Sequence, residues 1–452
     1  MASSVVENQQ IFISIASYRD QQLVPTIEDL LAKADEPGLL HFGICWQRDP
    51  EDPQLPFRGD PRFQVLDVDW RDSRGACWAR AEIMKLWSGE QWFLQVDSHC
   101  RFVQGWDTKL IRMMGQTESP KPILSTYANA FEPREPGSDA REFLVGPPHL
   151  IAIETFNDLG LPILKPVPIP DLASRNRPMA ARFLAAGFLF APGSFVEEVP
   201  YDPELYFFGE EISMTMRAFT AGYDLFHPIE DVVWHDYVRA YATRHWNDHE
   251  RPTPEAVTKT LPPGKESDWS DLDRISRQKV HQLLCGAPSE ITDTSNPADP
   301  FGLGTIRTRQ QYEQYAGVSF QLRKLQDYTR LALEPPNPPA DADWPSRIYT
   351  WMIRITVKVQ MLAPVALENL TFLVVTIQDE ERREIRRHDF QRKEMAIDDT
   401  ESEIVLVCEI QSGIIPAFWT MQPFSRTRGW GSKIHHALSE SDYTILAEDE
   451  ET

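Results

Sequence analysis

In the run FLQVDSHCRF, residues 93–102, an apolar stretch stops at Asp97, Ser98 and His99. A buried strand is apolar, and an α/β sheet keeps its chemistry at the carboxyl ends of its strands. In an extended chain residues i and i+2 point the same way, so the Asp97 carboxylate and the His99 imidazole share a face. Such a pair, with a third ligand and a diphosphate, completes an octahedral Mn2+ or Mg2+ site. The bland alternative is a strand-end turn capped by Asp97, with His99 in solvent. His235 ends the apolar run DVVWH and is the candidate third ligand; His227, before Pro228, is its rival.

Three further stretches carry polar groups at element ends. SIASYRD closes a first apolar run with Ser17, Tyr18, Arg19 and Asp20. An aromatic ring there can stack on a nucleobase, and an arginine can meet phosphate. DSRGACWAR sets Arg74 before a glycine and Arg80 in the first turns of a helix, a natural anion site, although Arg80 fits a structural salt bridge equally well. YFFGEEISMTMRAFTAG places Glu210 and Glu211 after a glycine turn at a helix start. Helix-dipole capping is the plain account of these carboxylates. The sharper one is contact with sugar or acceptor hydroxyls.

The elements that must position these groups alternate. IFISIAS (11–17), LLHFGICW (39–46), FQVLDVDW (63–70) and QWFLQV (91–96) read as strands, with helices at QLVPTIEDLLAKA and ACWARAEIMKLW (76–87). This β-α-β order predicts a parallel sheet covered on both faces by helices. Residues 128–181 read as loop-rich, RFLAAGFLFAP (182–192) as a strand and EEISMTMRAFTAG (210–222) as a helix capped by Gly222. YDLFHP and DVVWHDYVR give short strands, residues 240–300 loops and short helices, and IRTRQQYEQYAG (306–317) a helix. The proline-dense EPPNPPADADWP (334–345) reads as a linker. Beyond it TWMIRITVKVQM (350–361) alternates apolar and polar residues, and LTFLVVTIQ (370–378) and EIVLVCEI (403–410) are further strands. Period-2 runs without helices predict a β-sandwich.

Composition sets outer bounds. The chain has 452 residues, enough for two or three domains, and a net charge of −23. That charge opposes non-specific binding to nucleic acid or to an anionic membrane. No apolar stretch is long enough to span a bilayer, and the opening MASSVVENQQ lacks a signal-peptide pattern. Cys45, Cys77, Cys100, Cys285 and Cys408 are scattered and odd in number, which predicts reduced thiols and a cytoplasmic location.

ISIASYRD, RGACWAR, FLQVDSHCRFVQGWD, AAGFLFA, FFGEEISMTMRAFTAGYDLFHP, VWHDY and GTIRTRQQYEQYAG occur in this order. Together they resemble the cytoplasmic UDP-GlcNAc:hydroxyproline-polypeptide N-acetylglucosaminyltransferases over roughly residues 9–320. A more distant similarity is to the mucin-type polypeptide GalNAc-transferases, which hold Mn2+ with Asp-x-His and a later histidine. The resemblance implies a GT-A, Rossmann-like α/β fold, a UDP-sugar donor, a divalent metal and retention of configuration. It matches Asp97, His99 and His235 to the metal set. Ser17, Tyr18, Arg19, Arg74 and Arg80, with Asp97, fall on the nucleotide-sugar side, and Glu210 and Glu211 beside the sugar as the catalytic candidates. The expected organisation is a catalytic domain over 9–333, the linker at 334–345, a β-rich accessory domain over 346–432 and an acidic tail over 433–452. The expected acceptor is a hydroxyl on a polypeptide or another molecule, with no nucleic-acid or membrane partner; homo-oligomerisation is left open. A metal-dependent hydrolase and a non-catalytic carbohydrate- or protein-binding module are the alternatives from other classes. The arginine stretches near the first strands speak against the hydrolase.

Overall fold

A computed structural model describes residues 9–133, 141–239, 242–251, 268–286, 299–397 and 402–446. The chain forms two compact units: Met1–Ala316 with Glu334–Asn337, and Gly317–Leu333 with Pro338–Thr452.

The first unit runs β1 (Ile11–Tyr18), α1 (Leu23–Lys33), β2 (Leu40–Arg48), β3 (Phe63–Asp69), α2 (Ala76–Met84), β4 (Trp92–Asp97), β5 (Cys100–Phe102), α3 (Trp106–Gln116) and β6 (Pro122–Ser125). It continues through β7 (Asn129–Pro133), β8 (Arg141–Phe143), β9 (His149–Phe156), β10 (Pro162–Pro168), β11 (Met179–Ala180), β12 (Phe188–Pro192), α4 (Phe195–Glu198) and α5 (Glu210–Thr220). It closes with β13 (Asp224–His227), β14 (Val233–His235), α6 (His245–Asp248), α7 (Trp269–Cys285) and α8 (Arg309–Ala316).

An eight-stranded sheet in the order β11-β13-β6-β12-β4-β1-β2-β3 is its frame. Strands β1 to β4 are mutually parallel, as the β-α-β pattern requires, but β12 enters antiparallel between β4 and β6. The central strand β1 is near-continuously apolar because both of its faces are covered: Ile11, Phe12, Ile13 and Ile15 are buried. Helix α1 packs by Leu23, Ile27 and Leu30, spaced by helical turns along one face.

Register decides what meets at the sheet's carboxyl end. Asp97, the last residue of β4, pairs with Ala16, so Ser17 and Tyr18 project past it. Phe188 pairs with Val96, which sets Gly187 beside Asp97. A smaller sheet, β5-β14-β7-β8, pairs His235 with Cys100 and so delivers His235 next to His99.

The second unit is two antiparallel sheets over one core. Ala396–Ile397, Glu403–Ser412, Tyr349–Lys358 and Tyr443–Leu446 form the first. Glu384–Gln391, Phe372–Gln378, Phe418–Ser425, Gly429–Trp430 and Ile434–Ala437 form the second. Trp351, Ile353, Ile355 and Val357 alternate inward from one sheet and meet Leu373, Val375 and Ile377 of the other, which makes a sandwich.

The structure departs from the sequence reading at several elements, among them Ile434–Ala437 and Tyr443–Leu446, expected in the tail but paired into the sandwich sheets. Residues 149–168 are a two-stranded ribbon, β9 with β10, not loop. Its prolines, Pro162, Pro166 and Pro168, are tolerated because a ribbon strand has a free edge. Helix α7 fills part of the stretch expected as loops and short helices. Only Ser276, Val280 and Leu284 of its residues are buried, so its apolar stripe is thin. The strand expected over 182–192 begins at Phe188, because side chains capture the preceding backbone donors: Leu184 N–H goes to Thr215, Ala185 N–H to Ser125 and Ala186 N–H to Glu211.

Ile13 is wholly buried in the central strand. Ile13→Ala should lower the unfolding free energy by about 2–5 kcal/mol and Ile13→Val by about 1 kcal/mol. Chemical denaturation of the full chain, followed by tryptophan fluorescence, checks the order.

Candidate functional site

Asp97, His99 and His235 converge at the carboxyl end of β4. One ligand atom from each lies within 4.8 Å of the others, and no other group of this kind occurs among the described residues. His235 Nε2 is 3.1 Å from Asp97 Oδ2, and His99 Nε2 is 3.9 Å from the same oxygen. The rings of His99 and His235 lie 4.6 Å apart at 68°. One carboxylate and two imidazoles form a donor set suited to a divalent transition ion. The cradle is tight: a Cβ on Gly187 would lie 3.1 Å from Asp97 Oδ2.

The residues behind the triad fix its orientation. Asp20 accepts hydrogen bonds from His99 Nδ1 at 2.8 Å, from the Ser98 hydroxyl at 2.7 Å and from Arg239 at 3.0 Å. With Nδ1–H engaged, His99 presents the lone pair of Nε2, the usual arrangement behind a metal-binding histidine. Asp20 reaches this place because the chain turns sharply after β1, with Arg19 at φ 46°. Burial opposes ionisation of Asp20, but the bonds from His99, Arg239 and Ser98 hold it below the usual carboxylate range. Asp97 behaves likewise: burial would raise it, while His235, Arg80 and His99 bring it well below that range. Arg80 donates to Asp97 Oδ1 at 2.7 Å and, through its other terminal nitrogen, to Glu210.

These groups border a cavity of about 510 Å³. Tyr18, Arg80, Asp97, His99, His235, Glu210 and Glu211, all singled out in the sequence, line it. Ser17, Arg19 and Arg74 do not. Ser17 is buried in β1, and its hydroxyl has no hydrogen-bond partner among the described residues. Arg19 pairs with Asp248 at 2.8 Å and lies over the Trp70 ring at 4.9 Å. Arg74 is exposed just before α2, 5.9 Å from the Trp78 ring. Tyr18 donates to the same Asp248 oxygen at 2.8 Å and packs against His245, 4.9 Å between ring centres.

His227, the rival ligand, lies elsewhere. It is buried on β13, with Nδ1 2.8 Å from the Ser125 carbonyl and Nε2 accepting from Ile151 N–H at 3.2 Å. Burial brings its pKa down to about 4. Both ring nitrogens are therefore satisfied by backbone.

Several site residues escaped the sequence reading. Asp20 carried a signal, since it closes SYRD at a strand end. Asp248 and Arg239 stand in polar stretches with no local pattern. Tyr127, beyond β6, donates its hydroxyl to Glu211, and Ala186 N–H adds a second bond at 2.9 Å. Even so, burial pushes Glu211 up to about 7.

The family model described as Glycosyltransferase (GlcNAc) matches residues 10–58 and 56–322. No curated protein matches the sequence. Among solved structures, GalNAc-T7 with UDP, GalNAc and Mn2+ is 12% identical, with a TM-score of 0.45 over 97% of this chain and 81% of that one. S. aureus TarS 1-349 in complex with UDP-GlcNAc is 12% identical, with a TM-score of 0.32 over 60% and 72%. The mannosyltransferase PcManGT from Pyrobaculum calidifontis, with GDP-Man and Mn2+, is 11% identical, with a TM-score of 0.34 over 51% and 57%.

The raised pKa of Glu211 has a stability consequence. Its folded value, about 7, lies above the ordinary 4.5. Below pH 4.5 both states hold the proton; as pH rises toward 7 the unfolded chain releases it first, so stability falls across that window. Glu211→Gln keeps one acceptor oxygen for Ala186 N–H, turns the other position into an amide donor toward the Tyr127 hydroxyl, and removes the titration. The variant should gain on the order of 2 kcal/mol relative to the parent between pH 5 and pH 8, given partial exposure. Melting temperatures of both proteins across that range measure the difference.

Proposed function

The chain belongs to the glycosyltransferase (GlcNAc) family, and on that footing we propose that it is a metal-dependent, retaining enzyme moving GlcNAc, or a related sugar, from a UDP-sugar to a hydroxyl on a polypeptide. The observation that carries this reading is the convergence of Asp97, His99 and His235 at a strand's carboxyl end, on the wall of a cavity large enough for a ligand. The resemblance of the sequence motifs supports hydroxyproline as the acceptor residue. Five cysteines without a disulfide suit a cytoplasmic setting.

Asp97, His99 and His235 would hold Mn2+ or Mg2+, which when bound offsets negative charge on the diphosphate as it leaves. Asp20 holds His99 in the tautomer that offers Nε2. Tyr18 presents an aromatic ring beside the nucleotide side of the cavity, with its hydroxyl fixed by Asp248. Arg19 is paired with Asp248, and neither it nor the exposed Arg74 lines the cavity, so the charge they lend ribose and phosphate acts at a distance; Ser17 stands under the same strand end. Glu211 accepts bonds from Tyr127 and Ala186 and keeps lone pairs for a sugar or acceptor hydroxyl. Glu210 is held by Arg80, which makes Glu211 the better candidate for direct contact.

In this reading the bond from the sugar C1 to the β-phosphate oxygen breaks as the acceptor oxygen bonds to C1 from the same face. The acceptor proton passes to the departing phosphate oxygen. No side-chain nucleophile is required, and the main catalytic contribution is electrostatic stabilisation of the leaving diphosphate. The second unit, a separate β-sandwich, is proposed to serve acceptor recognition or assembly.

Calorimetric titration with UDP at several Mn2+ concentrations tests the assignment. Asp97→Asn and His235→Ala should each weaken Mn2+-dependent UDP binding by at least about 100-fold. His227→Ala should instead cost stability, with UDP affinity within about threefold of the parent, because it loses only backbone partners. A greater Mn2+ requirement in His227→Ala than in His235→Ala would reverse the ligand assignment.

A further inference from the structure

We propose that Arg80, backed by Glu210, is a positioning residue for the metal ligand Asp97 and not a contact for the donor's diphosphate. The inference rests on the function proposed above and concerns how its metal set is held.

Both ends of the Arg80 fork are engaged inside the protein. One terminal nitrogen donates to Glu210, the other to Asp97 Oδ1 at 2.7 Å. The Arg80 side chain is 6% exposed and that of Glu210 3%, so neither swings outward without breaking a buried ion pair. The ring of Tyr201 lies 5.8 Å from the guanidinium and narrows the space further. An arginine that clamps phosphate needs a free fork. Arg74, at the start of the same helix and exposed, has one; no ion pair engages it among the described residues.

The two oxygens of Asp97 consequently have different duties. Oδ1 is tied to Arg80, and Oδ2 faces His235 at 3.1 Å and His99 at 3.9 Å. Arg80 therefore sets the rotation of the carboxylate and limits it to one oxygen toward the cation. Glu210 matters for charge. With it, the three groups sum to one net negative charge; without it, Arg80 cancels Asp97 and competes with the incoming ion. Geometry depends on the fork and affinity on the counter-charge, and the two can be separated by substitution. Arg80→Lys keeps the charge and loses the planar fork. Glu210→Gln keeps the shape and an acceptor oxygen but loses the charge.

The experiment measures Mn2+ binding to the full chain by electron paramagnetic resonance of free Mn2+, without nucleotide, and UDP binding by calorimetry at saturating Mn2+. Both variants should raise the Mn2+ Kd about tenfold or more, the usual scale for groups supporting a metal ligand. The UDP Kd at saturating Mn2+ should stay within about threefold, since the phosphate contacts are intact. A merely structural role would lower the melting temperature in EDTA and leave the Mn2+ Kd of folded protein where it was, and that result overturns the proposal. So does an unchanged Mn2+ Kd with UDP weakened about tenfold in Arg80→Lys, which would make Arg80 a phosphate contact. If Arg80→Lys does not fold, Glu210→Gln decides alone. A parent protein that binds neither Mn2+ nor UDP removes the function reading itself, an outcome distinct from any difference between parent and variants.

Discussion

A carboxylate that leaves bulk water and stays ionised needs fixed cations or donors around it. Asp97 stands at the end of β4 under that constraint, and the arrangement of the site answers it. Arg80 comes from α2, His99 from the turn after β4, and His235 from a strand of the smaller sheet. Each has a backing group: Glu210 behind Arg80, and Asp20 behind His99. The charges alternate inward from the protein body to the cavity. Such a chain is rigid because losing one member leaves another charge buried without a partner.

The sheet provides the rigidity that this network presupposes. Paired registers, Ala16 with Asp97, Val96 with Phe188 and Cys100 with His235, bring three separate stretches of chain to one point. The antiparallel entry of β12 is part of this. It turns the backbone at Gly187 toward Asp97, where a glycine leaves room that a side chain would fill. The result is a pocket whose wall on the triad side combines strand ends and main chain with the side chains of Arg80 and Arg239.

How much of this was legible in the sequence follows from the range of the interactions. The strands β1 to β4 announced themselves because apolar runs are local, and the second unit's sheets because Trp351, Ile353, Ile355 and Val357 alternate. Asp97 and His99 were readable from a spacing of two. His235 was readable as the end of an apolar run, and the choice between it and His227 turned on a preference that the geometry can be set beside. Helix α7 was hidden because only three of its residues face inward, and β10 because its prolines read as loop. Asp248, Tyr127 and the link from Glu210 through Arg80 to Asp97 were not readable at all. Each is defined by a partner far away in the chain, and no local pattern encodes a distant partner. The fate of Arg80 is instructive: an arginine near a helix start suits either an anion or an internal ion pair, and only the positions of Glu210 and Asp97 separate the two.

Asp248 holds the hydroxyl of Tyr18 across a separation of 230 residues. Tyr18 belongs to the first strand and is among the earliest parts of the site to leave the ribosome. Its partner arrives only after the whole eight-stranded sheet has been synthesised. Contacts of such long range form late, since the loop they close must already be ordered by everything between. The nucleotide side of the cavity therefore acquires its final shape after the sheet that supports it, and a nascent chain that stops short of α6 has a framework but an unfinished pocket.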